Sequence, residues 1–453
     1  MSASSHLRFG YAVQISSLLT LALVNIGLPN WIGAPAFARL NEANAFIGFS
    51  CVVFNDGVAL LLIRAISRAD GSPKRARDIA LQGAFEHGLL AAAGLLVVMG
   101  VVAVLAPQHV YGAADWLMVG VTGVTVAFYV SAVAWLTARF QNRLVALLVM
   151  VQGLLSFLLP LAAVKTGLDV RWSIFGTYSV GLAVCAWWLR AADSTRWRPS
   201  LAANARIALV PALPAASAQT AMRTAIVWFP VLLLAARGDL PDSAAYKIGL
   251  SLALAVCALV PYHRQTMLSL DGHTDAQAGG QLAAGAVLLA AGGALGLVFL
   301  AQPVTALFYS RELGVIASFL PAFGTFVVLQ VLTDVVLVRL MALHDDRTLL
   351  WACGAAIGAA SISAALAPTA WLPTLTLLAF LGVVLARRGL QAEWVLPVRA
   401  AACGVAAALA AALLPTWFGA GASAALVIGT LALDRSLRAA LTGTFRQMLG
   451  RQR

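Results

Sequence analysis

Ten polar or ionisable side chains fall inside or at the ends of stretches that are otherwise apolar, and their chemistry needs explaining first. Arg223 lies at the middle of an apolar run of about 207–236, with Gln219 one turn earlier on the same helical face. A guanidinium matches phosphate oxygens bidentately, so the pair reads as a substrate-binding site; the other reading of Arg223 is a structural ion pair with Asp56 or Asp334. Asp56, Asp334 and Glu86 are candidate ion-coupling carboxylates. Gln330 stands one turn before Asp334, and His87 beside Glu86 suits proton relay. The plainer readings are a hydrogen-bonded carboxylate for Asp56 and an interfacial position for Glu86 and His87. Arg64, two turns beyond Asp56, either attracts an anionic substrate or snorkels as a topology anchor. Gln14 and Asn25, eleven residues apart, share a face that either lines a cavity or packs among small residues.

The elements that carry these groups follow from composition. Of 453 residues 61% are apolar and only 11% charged, with a mean hydropathy of +0.89. A water-facing surface needs more polar cover than that, so a soluble enzyme is excluded. A bilayer core takes about 20 apolar residues per helix, and the apolar content could clothe roughly fourteen spans. Candidate spans lie at about 10–32, 43–66, 80–106, 114–138, 144–164, 172–190, 207–236, 244–263, 280–302, 316–341, 349–367, 373–387, 395–414 and 416–433. Inside such spans an ionisable residue costs about 2.5–3.5 kcal/mol on insertion scales, which makes each a functional candidate.

The net charge of +12 in a soluble protein would suggest a polyanion partner. Arginine supplies 27 of the 30 cations and no run of five basic residues occurs, so a nucleic-acid surface is not expected. With the N-terminus placed in the cytoplasm, 23 cations fall in cytoplasmic turns and tails against six outside. The cytoplasmic set includes Arg264, Arg339, Arg388, Arg399 and the arginines of a basic tail after 434. That asymmetry predicts an even number of spans with both termini in the cytoplasm.

Connections are short, the longest about 16 residues at 191–206 and 264–279. No external catalytic domain, phosphate-binding GxxxxGK[ST] loop, HExxH or GxSxG is present, which disfavours a membrane enzyme and ATP-driven transport by this chain alone. The cysteines Cys51, Cys185, Cys257, Cys353 and Cys403 sit in apolar segments without metal-ligand spacing and read as small buried hydrophobes. No cofactor or metal is expected. Trp31, Trp116, Trp172, Trp371 and Trp417 fit interfacial belts, while Trp135 and Trp228 lie deeper.

A shift of 201 residues lays 42–71 over 243–272, matching Ala43, Ile47, Gly48, Ser50, Asp70 and Gly71 to their counterparts Ala244, Ile248, Gly249, Ser251, Asp271 and Gly272. Both windows hold an external turn and the second helix of a half, which points to a parallel duplication. The stretch FNDGVALLLIRAISR (54–68), after an opening helix and an aromatic-containing turn, resembles the polysaccharide flippases of the multidrug/oligosaccharidyl-lipid/polysaccharide (MOP) superfamily. DSAAYKIGLSLALAVCALVPYHRQTMLSL is similar to the opening of that family's second lobe.

The resemblance implies an all-α membrane protein of about 14 helices (12–14), with two six-helix lobes in an inverted V, 1–190 and 207–387, joined by a cytoplasmic linker 191–206. A C-terminal helix pair and basic cytoplasmic tail would follow over 388–453. It further implies transport of undecaprenyl-pyrophosphate-linked oligosaccharide from the cytoplasmic to the periplasmic leaflet of a bacterial inner membrane, beside other polysaccharide export proteins. Arg223 would then meet the pyrophosphate, Arg64 the phosphate of the entering lipid, and Gln14 and Asn25 the sugars. A lipid tail can stay in the bilayer while sugars and pyrophosphate face several kcal/mol of desolvation there, which a polar cavity removes without chemistry. The nearest rival is a drug or metabolite antiporter of the same superfamily, and a more distant one is a membrane-embedded glycan polymerase or ligase.

Overall fold

The apolar runs fold as helices because in hydrocarbon every backbone amide must find its partner within its own segment. A computed structural model describes residues 23–33, 55–67, 78–89, 113–139, 141–170, 172–179, 221–227, 240–262, 276–309, 315–366, 369–414 and 416–448. It also describes isolated positions at 15–16, 19–20, 36–37, 40, 44, 92–93, 96, 183, 218–219, 230, 234, 264 and 267. Among the described residues all regular structure is helical. Six helices are long and apolar enough to cross a membrane, and one sharply bent pair makes a seventh. The linker 191–206, Gln14, Cys51 and Cys185 lie outside the described residues.

The chain divides into two compact units, Ala22–Thr224 and Met1–Leu21 with Ala225–Arg453. The first opens on a π turn, Leu23–Gly27, continued by α1 (Leu28–Ile32). It then holds α2 (Asn55–Ser67), α3 (78–89), α4 (Ala113–Ala138), α5 (Asn142–Thr166) and α6 (172–179). Leu28, Phe37, Met118, Val126, Val130 and Ile174 join in its core. Side chains on α3 sit tightly against α2, with Leu62 filling the space over Gly83.

α5 shows which solvent the protein is built for. Leu144, Leu147, Met150, Leu154 and Leu158, spaced three and four apart, form one stripe, and each is at least 43% exposed. A soluble helix turns such a stripe inward. Here it faces outward, as a helix bordering lipid does.

The second unit begins with α7 (221–227, from Ala225) and α8 (Leu240–Leu259). It continues through α9 (Ala276–Phe299), α10 (Ala301–Phe308), α11 (Ile316–Ala342) and α12 (Asp346–Leu366) to α13 (Leu372–Arg388), α14 (Ala392–Leu413), α15 (Thr416–Leu433) and α16 (Arg435–Met448). α11 is its central helix, packed by α8, α9, α13 and α14. Tyr246 of α8 meets Phe323 edge-on at 5.4 Å and Phe319 at 5.8 Å, and its hydroxyl donates to the Ile226 carbonyl at 3.1 Å, tying α7 to α8.

α14 lies against both α9 and α11, and the approach depends on Gly404. A Cβ there would stand 2.7 Å from that of Ala291 and 3.1 Å from Val328 Cγ1. Small residues let membrane helices approach this closely when apolar burial alone gives no drive to associate.

Spans predicted at 316–341, 395–414 and 416–433 match α11, α14 and α15 to within a few residues. One expectation changes. The basic tail after 434 is a helix, α16, which packs on α9. Alternating cations and small or apolar residues hid its amphipathic period from a span-seeking window.

Candidate functional site

α11 carries the unit's most polar line through an otherwise apolar core. Thr325 and Thr374 share a hydroxyl contact of 3.1 Å between α11 and α13. Gln330 donates from Nε2 to Asp334 Oδ1 at 2.9 Å, as residues one helical turn apart on a common face can. The same carboxylate oxygen faces Arg264 Nε at 3.3 Å, and both side chains are less than a fifth exposed. One and a half turns on, Arg339 Nε reaches Glu393 of α14 at 2.8 Å. Asp334 is thus a carboxylate held within a span by a guanidinium and an amide.

Arg264 is the member of this group that the sequence reading missed, having been counted as a turn cation. Its signal was present: it stands alone in its turn, directly after an apolar segment that ends in Tyr262 and His263. Arg388 and Asp345 pair at 2.5 Å, and Arg399 pairs with Asp434. Four of the arginines expected in cytoplasmic turns are therefore clasped to carboxylates. At Asp345 burial works against ionisation, but hydrogen bonds from Thr348 and Arg388 outweigh it and hold the carboxyl below the usual range.

The unit Ala22–Thr224 holds a second set of buried polar groups. Gln219 is fully buried, and neither its amide nitrogen nor its amide oxygen has a hydrogen-bond partner among the described residues. Thr224 Oγ1, also buried, is in the same condition. Arg223 lies between them in the chain, half-buried and engaged with other groups. Ser131 and Thr137 of α4 and both ring nitrogens of His87 on α3 likewise lack partners among the described residues. Leaving a buried donor or acceptor unmade costs about 1–3 kcal/mol each, so such groups mark places where a ligand or water is expected.

Of the remaining candidates, Glu86 accepts a hydrogen bond from Gln82 at 2.9 Å, one turn away on α3. The structure thus supplies Glu86 with Gln82 rather than His87, because neighbouring positions on a helix point about 100° apart. Arg64 sits half-buried in the last turn of α2, with partners of its own. Asp56 belongs to the first turn of α2, and its side chain lies outside what is described. Asn25 is buried at the middle of the π turn. Sequence periodicity assumes an unbroken α-helix and gave no sign of that turn, a distortion enriched at functional sites. Trp135 stacks under Arg139 at 5.4 Å, which gives it a structural role at the end of α4. Among the described residues no three His, Cys, Asp or Glu side chains gather as metal ligands.

No family model matches the sequence, and no curated protein matches it. Solved structures do match its fold. A point mutant of the Vibrio cholerae MATE transporter VcmN aligns with a TM-score of 0.61 at 20% identity, over 88% of this chain and 98% of that one. A multidrug resistance MATE family transporter of the MOP superfamily, in an outward-facing conformation, aligns at 0.60 and 14% identity, over 89% and 96%. A MATE protein in the straight conformation aligns at 0.61 and 13% identity, over 88% and 96%. The protein is therefore a multi-span helical membrane protein with the fold of the MATE transporters.

Proposed function

We propose that the protein is a MOP-superfamily transporter that moves a lipid-linked, pyrophosphate-bearing oligosaccharide from the cytoplasmic to the periplasmic leaflet of a bacterial inner membrane. The two lobes, 1–190 and 207–387, would work by alternating access. The observation that carries this reading is Gln219, buried one turn from Arg223 with no partner for its amide donor or acceptor among the described residues. An amide offers both bonding partners a sugar hydroxyl needs, and a guanidinium suits phosphate oxygens. Arg64, Gln14 and Asn25 would extend the polar path. Asp334, released from Arg264 when protonated or when a cation binds, would supply coupling, with Asp56 and Glu86 as the corresponding carboxylates of the first lobe.

The second reading is a drug or metabolite antiporter, favoured by one matched structure being a multidrug resistance transporter. A cationic drug gains nothing from an arginine beside its path, which is why the glycan reading comes first. The test is a reconstituted flipping assay with a fluorescent polyprenyl-pyrophosphate oligosaccharide, its outer-leaflet fraction read by lectin or quencher access. Movement of that lipid, lost in Arg223→Ala while insertion is kept, supports the proposal. Failure to move it, together with proton- or sodium-driven uptake of a small cation, would establish the antiporter. Glycosyl transfer by the purified chain would establish the enzyme.

A further inference from the structure

The C-terminal helix has a face that the transport reading leaves unused. α16 leaves α15 at 97°. Asp434 fixes the corner: its Oδ1 accepts from the backbone N–H groups of Ser436 at 3.0 Å and Leu437 at 3.2 Å, and its carboxylate pairs with Arg399 of α14. Leu437, Ala440 and Thr444 are buried, and the helix packs on α9. The fit is close because position 285 is glycine, where a Cβ would stand 2.0 Å from Thr444 Oγ1 and 2.9 Å from the Ala440 carbonyl oxygen.

At about 100° per residue, Arg435, Arg438, Thr442 and Arg446 fall on the side opposite that buried row, and all four are exposed. Leu441 and Phe445 run along one flank, Phe445 being 45% exposed. Among the described residues no carboxylate pairs with these three arginines. A right-angle turn after a span lays the next helix along the bilayer surface. There an apolar flank enters the headgroup boundary while cations face lipid phosphates.

We propose that α16 is an interfacial helix whose Arg435, Arg438 and Arg446 hold anionic phospholipid headgroups of the bilayer, independently of what the protein transports. The full chain in nanodiscs of neutral phosphatidylcholine is compared with the same discs containing about a third phosphatidylglycerol, reading amide hydrogen exchange over 435–448. Exchange should slow about tenfold in the anionic discs, and rising salt should reverse this. The triple variant R435Q/R438Q/R446Q should lose the difference, and R435K/R438K/R446K should keep it. Equal exchange in both lipids, or a difference that survives the glutamine variant, overturns the proposal. So does equal protection by inorganic pyrophosphate added to neutral discs, which would make the face a soluble-anion site. If the glutamine variant does not insert, the salt titration of the unaltered chain decides.

Discussion

Among the described residues, the two units show different sets of polar groups within an apolar protein. In the unit holding Ala225–Arg453, charges stand in pairs: half-buried Arg264 with Asp334 and Arg339 with Glu393, and the exposed guanidinium groups of Arg388 with Asp345 and Arg399 with Asp434. Its one neutral hydroxyl without a partner among the described residues is Thr333. In the unit Ala22–Thr224, neutral groups on His87, Ser131, Thr137, Gln219 and Thr224 are buried without partners among the described residues. Pairing fixes helices against one another, because removing one member strands the other in a low-dielectric setting. Unmet neutral groups do the reverse. They give up stability and leave bonding capacity for something that arrives later. On the proposed function, the first set braces the fold and the second binds.

The largest expected effect breaks the bracing side. Asp334→Ala should destabilise the protein by about 3 kcal/mol in detergent-solubilised unfolding, by removing the carboxylate that the half-buried Arg264 faces. The double variant Arg264→Met with Asp334→Leu should recover most of that loss. Recovery of stability with loss of ion-driven transport would show that the pair also couples, whereas full transport by the double variant removes Asp334 from coupling.

Next is Arg223→Ala on the binding side. A charge-assisted hydrogen bond contributes about 1.5–3 kcal/mol, so substrate should bind roughly ten- to a hundredfold more weakly while the unfolding midpoint moves little. A large fall in stability with normal transport would move Arg223 into the bracing class.

Gln219→Leu discriminates between the units most directly. Removing a buried amide that has no partner among the described residues, at nearly constant volume, should raise stability by about 1 kcal/mol and lower transport of the proposed lipid-linked glycan. A stability loss of the Asp334 kind would mean that Gln219 is bonded in the folded protein.

The smallest effect concerns pH at Asp345. Its lowered pKa means that its contribution is present above the unfolded carboxyl value of about 3.9 and is lost as the pH falls below it. Because Arg388 is 35% exposed, the difference between the native chain and Asp345→Asn should be under about 1 kcal/mol at pH 7. Thermal unfolding of both at pH 7 and pH 3 checks it, the two curves converging at the lower pH.

Much of the fold was legible because burial in hydrocarbon leaves a one-dimensional trace. A stretch such as 316–341 must be apolar along its length to cross, so α11 could be read almost to the residue. The site was less so. Asp334 and Gln330 were visible as a pair because they are one turn apart, but Arg264 is 70 positions away in sequence and only packing brings it to 3.3 Å. The π turn around Asn25 was hidden because a helical period is assumed before it is tested. Helix α16 was hidden because a search for spans passes over a segment whose two faces differ.

By itself the sequence determined the solvent, the helical class, the position of most described spans and the rarity of charge within them. These follow from composition and local periodicity, which act residue by residue. The tertiary structure alone decided which arginines are clasped, which amides and hydroxyls lack partners among the described residues, and that the tail folds back over Gly285. Those are relations between distant segments, and their energies exist only once the helices pack.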